Sequence, residues 1–323
     1  QELAKNIMPL LSEHGNNITL NEKLFARIKA VYDQKDQANL TPEQSKLLEK
    51  VYNSFVRSGA NLEGEAKEQY RALSKELSLL TLQFGENNLK ETNDYKLVLT
   101  DPAQLAGLPQ SAIDAAAETA KEKGVEGWIF TLQAPSYSPF MTYASNRDLR
   151  CKLYMAYNTK CTHDNETNNL EIVKKLVNTR LAIAQLLGYS SFAEYNLQER
   201  MAENSGNVYK LLDQLLDAYT PTAKQEYAEV EALARQLEGS DFTVMPWDWS
   251  YYSHKLKDQK FQIDDEMLRP YFELSKVKEG VFGLATRLYG ITFKKNSDIP
   301  VYHKDVDAYE VFDKDGKFLS VPY

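Results

Sequence analysis

Residues 66–84 read AKEQYRALSKELSLLTLQF, and their apolar side chains recur at spacings of three and four. In an α-helix, residues three and four apart share a face, so this spacing places the apolar side chains along one stripe. The stripe consists of Ala66, Tyr70, Leu73, Leu77, Leu80 and Phe84. The stretch therefore predicts a long amphipathic helix that packs along one side.

The same period recurs in two later segments, so we expect helices to dominate the fold. One stripe consists of Leu170, Val173, Val177, Leu181 and Ala184, and another of Val208, Leu211, Leu212, Leu215, Leu216 and Tyr219. Two helix starts are indicated by capping residues, Thr41 with Gln44 three positions later, and Asn146. No repeat of fixed period is found, which argues against a solenoid.

Strand signals are few and short. They lie at residues 95–100, 128–133 and 291–294, and in two runs, 308–312 and 317–321, around a D-K-D-G turn. The Asp-Gly step favours the positive φ values of a tight hairpin turn. An isolated hairpin is marginal in water unless something covers it or extends its sheet. The prediction is a mainly α protein with small β-hairpin elements, whose last hairpin has further partners.

Composition and charge narrow the class of protein. With 323 residues, 43% of them hydrophobic, the chain can bury a substantial core. The formal net charge of −8 is spread without blocks, which disfavours nucleic acid as a partner. No apolar run is long enough to cross a bilayer, so no membrane partner is expected. Cys151 and Cys161 are predicted not to bridge, and such sparse cysteine use is typical of a reducing compartment.

The familiar catalytic motifs are missing from the sequence. The four histidines, His14, His163, His254 and His303, lie far apart, and none belongs to an H-E-x-x-H pair, the spacing that presents two imidazoles to zinc. There is also no G-x-S-x-G elbow, phosphate-binding loop or glycine-rich dinucleotide turn. Cys161 and His163 have ligand-type side chains but no partner cluster, so a solvated loop is favoured there over a metal site.

Residues 246–255, PWDWSYYSHK, are rich in aromatic side chains. Pro246 starts a predicted helix on which Trp247, Tyr251 and Lys255 share one face. In one interpretation the rings fill a junction between helices and their polar tips reach local partners. In the other they line a cleft wall that binds a peptide, which needs both apolar area and hydrogen bonds. Spacing alone favours the first interpretation.

Several blocks, taken together and in order, resemble the thimet oligopeptidase family of zinc metallopeptidases, which includes oligopeptidase A and bacterial peptidyl-dipeptidase. The blocks lie at residues 132–143 (LQAPSYSPFMTY), 146–150 (NRDLR), 154–159 (YMAYNT), 181–189 (LAIAQLLGY), 201–204 (MAEN), 246–253 (PWDWSYYS), 268–272 (LRPYF), 289–292 (YGIT) and 301–306 (VYHKDV). No single block would identify the family. Their shared order across residues 130–323 makes the resemblance specific.

The resemblance implies a mainly α, multi-helix fold, with a helical amino-terminal region at residues 1–129 and a helical portion at 130–323 that leads into the catalytic domain. The family cuts short peptides in a deep channel between two mostly helical halves. In the family, the H-E-x-x-H helix, further partner strands and the assisting residues follow the segment that matches residues 301–323. The chain is therefore expected to be a fragment that ends before the zinc-binding helix. Zinc is expected in the parent enzyme and not in this chain, which alone should be inactive, and no catalytic residue or metal ligand is carried over.

Four residues are candidates for lining the channel and binding substrate: Tyr251, Tyr252, His303 and Tyr309. They combine aromatic and polar groups next to a hairpin, where an extended peptide could pair with a strand edge. The family also implies short peptide substrates, a monomer and a cytoplasmic location, or a periplasmic one if a signal peptide has been removed.

Two other interpretations stay open. In the first, the chain is a non-catalytic helical module that binds a peptide or protein without cutting it. In the second, Cys161 and His163 hold a metal ion, which predicts stoichiometric zinc in the chain.

Overall fold

The computed structural model describes residues 2–263 and 265–323, and the chain divides into two compact units, Gln1–His254 and Lys255–Tyr323. Thirteen α-helices and five short strands lie among the described residues, which confirms the predicted mainly α class with small β elements. The predicted division into an amino-terminal region at 1–129 and a second portion at 130–323 stays a prediction.

The helices of the first unit account for most of its length. They are α1 (Glu2–Thr19), α2 (Glu22–Asp33), α3 (Pro42–Arg57), α4 (Gly64–Asp94), α5 (Gln110–Glu122), α6 (Ala134–Tyr143), α7 (Arg147–Asn158), α8 (Leu170–Leu186), α9 (Phe192–Leu197) and α10 (Ser205–Glu238). Helix α11 (Trp249–Phe261) begins in this unit. No helix within residues 2–263 or 265–323 is both long and apolar enough to span a membrane.

Both predicted helix caps are present. The side chain of Thr41 accepts a hydrogen bond from the Gln44 amide at 3.3 Å, and the Gln44 side chain accepts one from the Thr41 amide at 3.0 Å. The side chain of Asn146 accepts from the Leu149 amide at 3.1 Å and starts α7. These bonds satisfy amides that the first turn of a helix leaves unpaired.

Helix α4 packs against α1 and α8. Leu80, from the stripe that predicted this helix, is buried against Ile172 and Leu176 of α8, with Leu77 beside them. Helix α8 buries mainly the side opposite its predicted stripe, with Ile172, Leu176, Thr179 and Ile183. Of the stripe itself, Ala184 is buried, whereas Leu170, Val173, Val177 and Leu181 are 38–53% exposed. The period alone predicted the helix but could not tell which of its two apolar sides faces α4.

A two-stranded antiparallel sheet joins β1 (Leu97–Leu99) to β2 (Trp128–Phe130). Helices α5 and α6 contact β2 of this ribbon. The main core lies here. It consists of Leu97, Leu99, Leu105, Leu108, Ala116, Phe130, Leu132, Phe140, Met141, Ala144 and Leu153.

Gly127, at the entry to β2, has a φ of +100°, and a Cβ there would lie 2.2 Å from the carbonyl oxygen of Leu99. Gly127→Ala is therefore expected to lower the free energy of unfolding by about 3 kcal/mol or more, because the cost of backbone strain adds to the cost of displacing β1. Gly124→Ala is the matched control, because its φ is also positive, at +64°, but no atom lies within 4 Å of the added Cβ. It should cost only about 1–2 kcal/mol. Urea titration monitored by tryptophan fluorescence measures both, and equal losses would contradict the steric explanation.

The second unit contains α12 (Asp265–Leu268), α13 (Leu274–Tyr289) and a three-stranded antiparallel sheet. Its strands are β3 (Thr292–Lys295), β4 (Tyr309–Phe312) and β5 (Phe318–Ser320), in the order β3-β4-β5. The predicted hairpin is thus confirmed as β4 and β5. The Asp313 side chain accepts from the amides of Asp315 and Lys317 and holds the turn, where Gly316 has a φ of +78°.

The hairpin gains a partner strand from within the chain, because β3 pairs with β4 and places Phe293 opposite Val311. Phe282 of α13 covers this sheet. Its ring stacks on that of Phe293 at 4.2 Å between centroids and meets the ring of Tyr309 edge-on at 5.0 Å. A helix and a third strand therefore stabilise an element that would be marginal alone.

Candidate functional site

The aromatic stretch singled out in the sequence starts with a single 3₁₀ turn, Pro246–Asp248, and continues into α11. The Asp248 carboxylate reaches back to accept a hydrogen bond from the Met245 amide at 3.0 Å, which closes the turn. Asp248 is fully buried. A buried carboxylate needs cationic partners or several hydrogen bonds.

Two arginines from α7 meet this carboxylate. Arg147 donates from Nε and Nη2 to Asp248, the shortest bond being 2.7 Å, and Arg150 donates from Nη2 at 2.9 Å. The remaining donors of Arg150, which is 1% exposed, bond to the carbonyl oxygens of Ala144, Ser145 and Trp247. The Arg150 guanidinium is thus hydrogen-bonded on every nitrogen, and the Arg–Asp cluster (Arg147, Arg150 and Asp248) joins α7 to the turn before α11.

Burial alone would raise the pKa of Asp248, but hydrogen bonds from Arg147, the Met245 amide and Arg150 outweigh it and hold the pKa below its usual value. A lowered folded-state pKa adds stability that is fully present above the unfolded value, near pH 4, and is lost as the pH falls through the folded pKa. We therefore expect the difference in Tm between the wild type and Asp248→Asn to narrow as the pH falls below about 4. Thermal melts from pH 3 to 7 measure it. A difference that stays constant over this range would contradict the assignment.

Tyr251 and Tyr252 lie against this cluster, with exposed fractions of 8% and 2%. The guanidinium carbon of Arg150 sits 4.1 Å from the centre of the Tyr251 ring, a cation–π contact. The Tyr252 hydroxyl donates to Glu238 at 2.9 Å, and burial, together with this bond, raises the pKa of Tyr252 well above its usual value. The geometry therefore accounts for both rings by packing, and their predicted contact with substrate stays a prediction.

His303 and Tyr309 belong to the second unit, whereas Tyr251 and Tyr252 belong to the first. His303 is exposed, and its Nδ1 accepts a hydrogen bond from the Asp305 amide at 3.3 Å. Tyr309 lies on β4, where its ring meets that of Phe282 and the Lys278 Nζ lies 5.5 Å from the ring centre. Of the four predicted residues, His303 has the most accessible side chain.

An apolar pocket of about 370 Å³, which the sequence did not predict, lies beside the aromatic stretch. The rings of Tyr227 on α10 and Trp249 on α11 stack in parallel there at 5.7 Å. The pocket residues are Ala223, Tyr227, Val244, Met245, Pro246 and Trp249. Trp249 is 39% exposed. The helical spacing predicted that Trp247 and Tyr251, and not Trp249, share the face that could form a cleft wall. Nothing in the local spacing links Tyr227 to Trp249, because the two lie on different helices.

The loop with Cys161 and His163 is organised by hydrogen bonds. The Cys161 amide donates to Glu91 at 2.7 Å, and burial with the nearby Glu91 raises the pKa of the thiol to about 11. A thiol of that pKa stays protonated at neutral pH. Within the described part of the chain, no group of three His, Cys, Asp or Glu side chains could hold a metal ion. Both cysteines are free thiols, as predicted.

Comparison with known proteins gives one matching family model and many relatives. Residues 140–323 match the model described as Peptidase family M3. The chain is 35% identical over 327 residues to Oligopeptidase A of Escherichia coli K12, and 34% identical over 325 residues to Dipeptidyl carboxypeptidase of the same organism, with 100% of the chain and 48% of each relative covered. It is 32% identical over 316 residues to Probable cytosolic oligopeptidase A of Arabidopsis thaliana, with 94% of the chain and 45% of the relative covered. The chain thus spans about half the length of the curated relatives it matches.

Proposed function

Since the chain belongs to peptidase family M3, we propose that it is part of a zinc-dependent oligopeptidase or peptidyl-dipeptidase and forms part of its substrate channel. The observation that carries the proposal is the family match over residues 140–323, more than half of the chain. The family resemblance predicted from the ordered sequence blocks is confirmed by this match and by the named relatives.

The proposed reaction is hydrolysis of peptide bonds in short peptides. Zinc, when bound, polarises the scissile carbonyl and acidifies a water molecule. Among the residues that the structure describes, no group of three His, Cys, Asp or Glu side chains could hold a zinc ion, and the sequence contains no H-E-x-x-H pair. We therefore assign no zinc ligand to this chain and propose that it hydrolyses peptides only together with a zinc site from the rest of the polypeptide.

The contribution proposed for this chain is to bind and orient the peptide. Strands β3 and β5 are the two edges of the sheet in the second unit, and each has no further strand paired to it among the described residues. An extended peptide can bond to such an edge through its backbone. His303 is exposed in the connection between β3 and β4, and Tyr309 lies on β4. These features support His303 and Tyr309 as substrate contacts, whereas the burial of Tyr251 and Tyr252 favours a supporting role in the wall.

The proposed partners are short peptides, and the proposed state is a cytoplasmic monomer. The relative named a probable cytosolic oligopeptidase favours that compartment. The net charge of −8 disfavours binding to nucleic acid.

A chimera tests the proposal directly: this chain replaces the matched part of Escherichia coli oligopeptidase A. We expect it to cleave a quenched fluorescent peptide, to lose the activity with a zinc chelator and to regain it with zinc. The isolated chain with added zinc should cleave nothing. A cooperatively folded chimera without activity would overturn the proposal, and cleavage by the isolated chain would overturn the assignment of zinc to the rest of the polypeptide.

The substrate contacts are tested in the same chimera by His303→Ala, Tyr309→Phe, Tyr251→Phe and Tyr252→Phe. We expect His303→Ala and Tyr309→Phe each to lower kcat/KM by about tenfold, because each variant loses a substrate hydrogen bond worth roughly 1 kcal/mol or somewhat more. His14→Ala, an exposed histidine on α1, is the control and should change nothing. If all four variants keep the parent kcat/KM, the four residues are not substrate contacts.

The alternative of a non-catalytic binding module is favoured by one observation, the apolar pocket formed by Tyr227, Trp249 and their neighbours. It predicts that the isolated chain binds short apolar peptides and that Trp249→Ala abolishes the binding. Calorimetric titration of the isolated chain measures it.

A further inference from the structure

Helix α10 exposes apolar side chains over most of its length. Leu211, Leu216 and Tyr219 are 57%, 64% and 65% exposed, and buried side chains occur only near its carboxyl end, at Val230, Leu233 and Ala234. Monomeric proteins rarely expose a contiguous apolar patch larger than a few hundred Å², and larger ones mark interaction sites. The amino-terminal part of α10 therefore has the character of an interface.

The exposed and buried apolar side chains lie on one face of the helix. At about 100° per residue, the predicted stripe from Val208 to Tyr219 covers one side, and Lys210, Asp213 and Asp217 lie on the opposite side. The same projection places Val230, Leu233 and Ala234 in line with the stripe. The face that is buried at the carboxyl end of α10 thus continues, uncovered, along its amino-terminal part.

We propose that this face, from Val208 to Tyr219, is the docking surface for an amphipathic helix from the part of the M3 polypeptide outside the matched half. The inference rests on family membership and not on the proposed peptidase activity.

Two observations favour this occupant. First, the stripe continues an interface that is already buried, so an added helix would extend the same layer. Second, the match covers 48% of oligopeptidase A, so more than half of that relative lies outside it. The spacing of the stripe, with residues at i, i+3, i+4 and i+7, is the one that packs against another helix.

Cysteine accessibility tests the proposal without any need for catalysis. Leu212→Cys, on the stripe, and Asp213→Cys, on the polar side, are introduced singly into this chain and into the chimera with oligopeptidase A. Maleimide labelling is followed by mass spectrometry, which distinguishes the new thiol from Cys151 and Cys161. We expect Leu212→Cys to react at least tenfold more slowly in the chimera than in the isolated chain, and Asp213→Cys to react at similar rates in both.

A second arm avoids dependence on one folded chimera. This chain, carrying an affinity tag, is co-expressed with the remaining polypeptide of oligopeptidase A. We expect recovery of a 1:1 complex that the double variant L212D/L215D abolishes and Asp213→Lys retains. Thermal melts of the isolated variants check that the exposed substitutions leave the fold intact.

If Leu212→Cys is labelled at the same rate in the isolated chain and in a cooperatively folded chimera, the proposal is overturned. If the chimera does not fold, the co-expression experiment decides, and failure to recover a complex overturns the proposal. Protection in the isolated chain that grows with protein concentration would also overturn it, because the occupant would then be a second copy. A protected but inactive chimera would refute only the proposed function, and an active but unprotected one would refute only this inference.

Discussion

Asp248→Asn is expected to lower the free energy of unfolding by about 3–5 kcal/mol, because it removes the carboxylate that neutralises a fully buried arginine. Arg150 is 1% exposed and Asp248 is fully buried, so neither charge can be solvated in place of the lost partner. The asparagine keeps the size of the side chain and some hydrogen bonds. The loss therefore reports the uncompensated charge. Urea titration monitored by tryptophan fluorescence measures it.

The matched control is Asp307→Asn in the second unit, since Asp307 also lies between two cations, Lys278 at 3.3 Å and Lys295 at 2.6 Å. These groups are exposed, and water replaces a lost partner, so the change should be much smaller. The double variant R150M/D248N should lose less than the sum of the two single variants, because each alone leaves its partner unpaired. A loss below about 1 kcal/mol for Asp248→Asn would contradict the role of the cluster.

Phe140→Ala is expected to be similarly destabilising, by about 3–5 kcal/mol. Phe140 on α6 is 0% exposed and packs edge-on against Phe130 of β2, with 4.7 Å between ring centroids. Removing the ring leaves a cavity in the main core at the point where α6 meets β2. Differential scanning calorimetry and urea titration both measure the loss.

Leu47→Ala on α3 is the control for Phe140→Ala, because Leu47 is 64% exposed and alanine favours a helix. It should change stability by no more than about 0.5 kcal/mol. Phe140→Leu should recover much of the loss, since leucine fills part of the cavity. If Phe140→Ala matched the Leu47→Ala control, the packing of α6 on β2 would not contribute as described.

Much of the fold could be predicted from local sequence. The caps at Thr41 and Asn146 are formed as expected, and the D-K-D-G turn joins β4 to β5. These features depend on groups within a few residues of one another. The same local rules predicted α8 but left open which side it buries, because the answer depends on α4, whose Leu80 lies 92 positions before Ile172 of α8.

The candidate site shows the same limit. The sequence singled out residues 246–255 as an aromatic cluster, and the structure buries Tyr251 and Tyr252 from that cluster. The pairing of Asp248 with Arg150 was not predicted, since the two residues are 98 positions apart. The pocket beside Tyr227 and Trp249 was also not predicted, because the two rings lie on different helices.

The sequence by itself determined that this protein is mainly α, where several helices and the terminal hairpin lie, and to which peptidase family it belongs. Periodicity, capping and turn chemistry act over a few residues, and the family blocks are read in order along the chain. Only the tertiary structure decided which helix faces are buried, that a buried carboxylate binds two arginines, and that one face of α10 is left uncovered. Burial and charge pairing depend on which distant segments meet, and local spacing does not specify that.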